Sequence, residues 1–192
     1  STSRRQRQMC IRDRDIRHLF PTIGEVFRHA SFQVASIITT TGFATANFDG
    51  WPQVAKTTLI MLMFIGACAG STGGGIKVSR FIILIKTIQK ELHTLLHPRM
   101  VKKLKIDGHT LEHEVVRSTN VFLIAYVLIF SLSVLLLGFN DFDLITNFTG
   151  VAATLNNIGP GLELVGPTQN FSIFSDGSKL VLIFDMLAGP LE

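Results

Sequence analysis

One run of nineteen residues without a charge, residues 121–139, constrains the fold most strongly. As a helix it is about 28 Å long, close to the roughly 30 Å hydrocarbon thickness of a bilayer. The whole chain has 47% hydrophobic and only 17% charged residues, which is unlike an ordinary soluble domain. We therefore predict an all-α, multi-pass membrane protein that has this run as a complete transmembrane helix.

Basic residues are concentrated before this helix. Positions 77 to 117 hold nine lysines and arginines against four acidic residues. The positive-inside rule places such a stretch in the cytoplasm, and residues 91–117 are predicted to be a cytoplasmic basic loop. Because membrane topology accounts for these charges, the net charge of +4 does not require a nucleic-acid partner, and none is expected.

The first seventeen residues differ from the rest of the chain. They contain six of the eighteen basic residues and show no apolar periodicity. We predict that residues 1–17 are disordered or foreign to the domain. The alternative is a basic arm that contacts anionic lipid.

Two partly apolar segments, residues 24–38 and 142–155, are too short to cross a bilayer, since fifteen helical residues reach only about 22 Å. Each is followed by a polar stretch centred on a glycine, Gly42 in the first and Gly159 in the second. A polar outer loop and a longer apolar run follow each stretch. This order of elements predicts an internal repeat of about 120 residues.

A glycine-rich string interrupts the apolar residues between positions 57 and 88. A continuous helix there is about 48 Å long, so the string falls near mid-membrane depth and predicts a broken transmembrane helix. Non-helical backbone at that depth needs burial in protein or access to water. Lys77 and Arg80, just after the break, are either cations beside it or side chains that reach towards the inner surface.

The glycine-centred stretches can carry ion chemistry. Main-chain carbonyl groups can replace the water around a cation, which is otherwise costly to dehydrate. Threonines before Gly42 favour extended backbone, and glycine adopts conformations closed to other residues. Two such stretches in one repeat indicate a cation pathway more strongly than either does alone.

Three segments resemble the third pore repeat of the Trk/Ktr/HKT potassium transporter superfamily, in its TrkH-type subunits. They are residues 40–43, 49–52 and 64–77, and the last contains the string Gly-Ala-Cys-Ala-Gly-Ser-Thr-Gly-Gly-Gly. Residues 154–161 and 174–192 resemble the fourth repeat. The resemblance covers roughly residues 18–192.

The resemblance implies four M1-P-M2 pore-loop repeats around one axis, with re-entrant half-helices, potassium as the transported ion and no cofactor. Residues 18–90 would be the third pore helix, filter and broken M2 helix, and residues 118–192 the fourth-repeat M1, pore helix, filter and truncated M2. The residues it assigns to the selectivity filter, as the ligands of K⁺, are Thr40, Thr41, Gly42, Phe43, Asn157, Ile158, Gly159 and Pro160. The residues it assigns to an intramembrane gate are Gly66, Gly70, Ser71, Thr72, Gly73, Gly74, Gly75 and Lys77.

The resemblance also implies partners. These are an N-terminal half of the same protein with two further repeats, a second copy in a homodimer, the lipid bilayer of a cell inner membrane, and a cytoplasmic nucleotide-binding regulatory subunit similar to TrkA. Residues 90–117 are the expected contact for that subunit. One position departs from the family, because Pro190 stands where an arginine below the filter is usual, which would lower a barrier to potassium and disturb the last helix.

Two other functions compete with transport. A non-conducting membrane scaffold or remnant is favoured by the expected absence of half the pore and by Pro190. An intramembrane enzyme has little support, because no nucleophile and base are paired in the apolar segments. His109 and His113 have helical spacing, but without a third ligand they are interpreted as a solvated pair.

Overall fold

The computed structural model describes residues 22–65, 75–96, 105–106, 109–110 and 113–190. The predicted segment 1–17 lies outside them. The described helices are α1 (Ile23–Ile38), α2 (Gln53–Phe64), α3 (Val78–Leu96), α4 (His113–Leu137), α5 (Leu144–Leu155) and α6 (Asp176–Ala188). Within the described part of the chain, the only strand ladder pairs Lys105–Ile106 with His109–Thr110. The predicted all-α class is confirmed.

Helices α1 and α5 are the two short segments expected from the sequence. They contain 16 and 12 residues. Thr22 and Asp143 begin them, because each side chain accepts a hydrogen bond from a backbone N–H of the first turn. Both helices are too short to cross a bilayer.

Among the described residues, one helix is long and apolar enough to span a membrane. It covers residues Glu114–Asn140 with a mean hydropathy of 2.7. This region contains the predicted run 121–139. Side chains along it remain largely exposed in the chain alone, as suits a surface that meets lipid or further helices.

Helix α5 lies at the centre of the described structure. It packs against α2, α4 and α6, whereas α1 packs against α2, and α3 against α4. One hydrophobic cluster joins the two predicted repeats and consists of Ile37, Phe48, Trp51, Leu59, Met63, Ala152, Ile158 and Leu162. A second cluster lies within the later repeat and contains Leu137, Val151, Val165, Phe174 and Leu182.

Helices extend into the predicted cytoplasmic loop 91–117 from both sides. Helix α3 continues to Leu96, and α4 already begins at His113. Charged residues do not end a helix that has left the lipid, because water solvates their side chains and lysine and glutamate are good helix formers. The two helices therefore continue past the predicted ends of the apolar segments by about one to two turns.

Phe48 tests the cluster that joins the repeats. Its side chain is 0% exposed. We expect Phe48→Ala to lower the free energy of unfolding by about 3–5 kcal/mol, because a buried aromatic ring is lost and a cavity is left. Phe139→Ala is the matched control, since Phe139 is 83% exposed. Thermal unfolding of the protein in detergent measures both, and equal losses would contradict this packing.

Candidate functional site

The first glycine-centred stretch begins with a helix-ending turn. Thr40 has a φ of 54°, which is left-handed. Its N–H donates to Ile37 O at 3.1 Å, and the N–H of Thr41 donates to Ser36 O at 2.9 Å. This pair of bonds is a Schellman motif, which satisfies carbonyls at the end of α1. A β-branched residue in this conformation is an outlier and stores strain.

The same turn recurs at the end of α5. Asn157 has a φ of 52°, and its N–H donates to Thr154 O at 3.0 Å. The N–H of Ile158 donates to Ala153 O at 2.9 Å. Asn157 lies 117 positions after Thr40, close to the predicted repeat length.

The peptide groups of these turns have a fixed orientation. In a planar trans peptide, the N–H and the C=O point in opposite directions. Because the N–H groups of Thr41 and Ile158 point back into their helices, the carbonyls of Thr40 and Asn157 point away from them. These carbonyls lie at helix C-termini, each of which carries about half a negative charge. The arrangement favours a cation.

The two stretches approach each other at their glycines. Gly42 has a φ of 77° and Gly159 a φ of 109°, both in the region that favours glycine. A Cβ on Gly42 would overlap the carbonyl oxygen of Ile158, and a Cβ on Gly159 would lie 3.8 Å from the Cα of Gly42. The backbones of the two stretches therefore meet directly, with no room for a side chain on Gly42.

The remaining predicted filter residues flank this contact. The carbonyl of Phe43 accepts a hydrogen bond from Ser36 Oγ at 2.7 Å, which fixes the far end of the first stretch. Pro160 Cδ would lie 3.4 Å from a Cβ on Gly42. A cavity of about 660 Å³ adjoins the two stretches, with Thr40, Thr41 and Gly159 among its lining residues.

Asn156, the last residue before the second turn, is fixed by hydrogen bonds to α4 and α5. It is completely buried, and its Oδ1 accepts a hydrogen bond from the Tyr126 hydroxyl on α4 at 2.8 Å. Its Nδ2 donates to Ala152 O at 2.8 Å. The sequence did not identify Tyr126, since its isolated hydroxyl in an apolar run was the only signal.

Helix α6 passes close to the second stretch. Asn157 Nδ2 donates to Met186 O at 3.0 Å. In a regular helix that carbonyl would accept from the N–H of residue 190, but Pro190 has none. A Cβ on Gly189 would overlap the carbonyl oxygen of Leu155, so α6 touches the end of α5 at this glycine. Because of the proline, the Met186 carbonyl has no N–H partner from residue 190 and accepts from Asn157, a predicted filter residue.

The predicted helix break has two ordered edges. Helix α2 ends at Phe64, and the N–H of Ile76 donates back to Phe64 O at 3.3 Å, in a parallel bridge between Ile65 and Ile76. The chain thus returns to the point at which it left the helix. Gly75, with a φ of 88°, and Lys77 lie at this return point. The predicted gate residues outside the described residues are Gly66, Gly70, Ser71, Thr72, Gly73 and Gly74.

Aromatic rings pack around Phe64, the residue at which α2 ends before the break. Phe64 lies 5.5 Å from Phe130 of α4 and 6.0 Å from Phe148 of α5, measured between ring centroids. After the break, the guanidinium of Arg80 lies 4.1 Å from the ring centroid of Phe122, which is a cation–π contact between α3 and α4. For Arg80, the geometry thus shows a packing role, which neither sequence alternative included.

One buried acid lies between α4 and α6. Asp185 is fully buried, and its Oδ1 accepts a hydrogen bond from Ser133 Oγ at 2.7 Å. Asp185 is not among the predicted site residues, although a lone acid in an apolar run is a visible signal. Within the described ranges, no group of three or more His, Cys, Asp or Glu residues could hold a metal.

The Tyr126–Asn156 bond generates a test of this site. We expect Tyr126→Phe to lower the free energy of unfolding by about 1–3 kcal/mol, because Asn156 Oδ1 is left buried without a donor. Ser172→Ala, which removes an exposed hydroxyl, is the control. Thermal unfolding in detergent measures both. A Tyr126→Phe protein as stable as the control would show that this bond does not support the turn.

Comparisons with known proteins give one consistent result. The family model for TrkH, described as a cation transport protein, matches residues 19–192. The Trk system potassium uptake protein TrkH of Vibrio parahaemolyticus is 43% identical over 175 residues, which are 91% of this chain and 36% of that protein. TrkH of Escherichia coli K12 is 40% identical over 171 residues, which are 89% of this chain and 34% of the relative.

A solved structure agrees with these relatives. The crystal structure of the potassium transporter TrkH from Vibrio parahaemolyticus matches with a TM-score of 0.81 and 42% identity, over 91% of this chain and 37% of that one. The chain therefore spans about a third of the length of the curated relatives that it matches. The family model covers most of this chain, and the fold agrees with a solved member. The chain belongs to the TrkH family of cation transport proteins.

Proposed function

We propose that this chain forms part of a pathway for potassium uptake across a membrane, with K⁺ as the transported substrate. The observation that carries the proposal is the direct contact between two equivalent turns at Gly42 and Gly159. Each turn follows the C-terminus of a short helix. The relatives described above are named potassium uptake proteins.

The energetic problem of such a pathway is dehydration. A monovalent cation that leaves water loses tens of kcal/mol of solvation unless other oxygens replace it. Carbonyl groups of Thr40 and Asn157 point away from their helices, and the C-termini of α1 and α5 add negative potential at the same place. These groups are suited to coordinate K⁺ without a fixed charge that would trap it.

Two turns supply only part of a coordination shell. We propose that the remaining oxygens come from two further repeats, in parts of the transporter beyond the matched third of the relatives' length. Residues Thr41, Phe43, Ile158 and Pro160 complete the two segments supplied here. The ion is cargo in this scheme, and no cofactor takes part.

The glycine-rich string is proposed as a gate below the filter. Support comes from the resemblance of its sequence and from the ordered return of the chain at Ile65 and Ile76. The bridge between Ile65 and Ile76 brings the two ends of the string together between α2 and α3. Pro190, in place of the family arginine, leaves this route without that cation.

The assembly is also part of the proposal. We place the chain in a cell inner membrane, in a homodimer, and in contact with a cytoplasmic nucleotide-binding subunit similar to TrkA through the basic residues 90–117. The excess of lysine and arginine there supports the cytoplasmic side.

Gly42→Ser tests the filter. We expect it to lower rubidium uptake at least about tenfold, because a Cβ at this position overlaps Ile158 O and a left-handed φ is costly for serine. The assay uses cells that lack their own potassium uptake systems and express the complete coding sequence. Surface expression of each variant is measured in parallel.

Gly50→Ser is the matched control, because no atom lies within 4 Å of a Cβ there and its φ is not left-handed. It is expected to retain normal uptake. A Gly42→Ser protein that carries rubidium as well as its parent would overturn the filter assignment. A parent that carries none would favour the non-conducting scaffold.

A further inference from the structure

Asp49 connects the two repeats outside the filter. It lies in the short turn Phe48–Gly50, after the first filter segment. Its Oδ1 accepts a hydrogen bond from the backbone N–H of Glu163, 3.0 Å away and 114 positions later in the chain. Asn47 Oδ1 accepts the N–H of Asp49 at 3.1 Å, which orients the turn. The bond joins the loop after the first filter segment to the loop after the second.

Gly166 is shaped to receive the same carboxylate. Its φ of −64° and ψ of 177° are open to any residue, so its conformation does not demand glycine. A Cβ on Gly166 would overlap Oδ2 of Asp49. The missing side chain therefore makes room for the acid, and the two residues form one contact surface.

The receiving loop is tied closely to the second filter segment. Gly161 N–H donates to Val165 O at 2.7 Å, which closes the loop on itself. Leu162 N–H donates to Thr149 Oγ1 of α5 at 3.0 Å. Glu163 has a left-handed φ of 55°, a strained conformation that its contacts must hold. Because the loop begins at Gly161, two residues after Gly159, a shift of the loop would also displace Gly159.

We propose that Asp49 is a positioning residue for ion selectivity, whose carboxylate sets the spacing between the two filter segments by holding the loop Gly161–Gly166 in place. The inference rests on the proposed function of those segments. Asp49 accepts its hydrogen bond from the backbone of the loop, so it acts on the ion through the backbone geometry of Gly42 and Gly159.

Two charged groups, Glu163 and Lys56, act on the Asp49 carboxyl. Burial raises the pKa of the Asp49 carboxyl, and the carboxylate of Glu163 raises it further, whereas the N–H of Glu163 and the ammonium of Lys56 lower it. Lys56 Nζ lies 3.7 Å from Glu163 Oε1. Because the pKa is raised, the ionised acid lowers the free energy of unfolding at neutral pH, and this cost decreases as the pH falls through the raised pKa.

The experiment compares Asp49→Asn, Asp49→Ala and Gly166→Ala in rubidium and sodium uptake, with the complete coding sequence. Asparagine keeps an oxygen that can accept from Glu163, alanine removes it, and a methyl group at Gly166 displaces the carboxylate. We expect the alanine variants to lower the rubidium-to-sodium uptake ratio about tenfold, the scale of one charge-assisted hydrogen bond, and Asp49→Asn to keep most of it. Asp176→Ala, which removes an exposed acid paired with Lys179, is the control and is expected to leave the ratio unchanged.

A double variant tests the contact itself. If Asp49 and Gly166 act as one surface, Asp49→Ala combined with Gly166→Ala will lower the ratio no further than either change alone. Multiplied effects would overturn the proposal. An unchanged ratio with lower uptake of both ions would also overturn it, because that result indicates a folding defect. A loss in Asp49→Asn equal to that in Asp49→Ala would overturn it as well, because that result indicates attraction of ions by the charge. Failure of the parent to carry rubidium would overturn the proposed function itself, and with it this inference.

Discussion

The close approach of two backbones at Gly42 and Gly159 is the constraint on which the rest of the structure depends. Because Gly42 carries no side chain, the two segments can meet through their peptide groups rather than through hydrophobic surfaces. Thr40 and Asn157 both take left-handed conformations so that each helix ends just before this meeting point. The strain of these residues is held by hydrogen bonds back to α1 and α5.

The two turns are alike, but their supports differ. Helix α5 is buried along most of its length between α2, α4 and α6, and Tyr126 holds its last turn through Asn156. Helix α1 packs mainly against α2, and its turn is closed by its own side chains, since Thr39 Oγ1 and Thr41 Oγ1 are 2.7 Å apart. In the part of the chain that the structure describes, the later repeat is thus the scaffold on which the earlier one rests.

Much of this organisation could be predicted because it depends on local chemistry. The length and apolar pattern of residues 24–38 and 142–155 gave two half-helices, and both exist with nearly those bounds. The glycines at 42 and 159 could be paired because the same elements precede them. By contrast, the bond between Asp49 and Glu163 joins two loops 114 positions apart. The repeat predicts that both loops exist, but it does not predict a bond between their residues. The hydrogen bonds of Tyr126 with Asn156 and of Ser133 with Asp185 also join residues that no sequence pattern pairs.

By itself, the sequence determined the class of protein, the repeat and the identity of the residues at each turn. Hydrophobic length decides which helices can cross a bilayer, and glycine permits the left-handed backbone at Gly42 and Gly159. Both properties are local. At Thr40 and Asn157, hydrogen bonds to the helix ends hold the left-handed conformation. Only the tertiary structure decided that the two turns touch and that an outer acid joins their loops. It also decided that the broken helix returns to Phe64. Those facts depend on distances between remote residues, which are fixed by the packing of α5 against its neighbours.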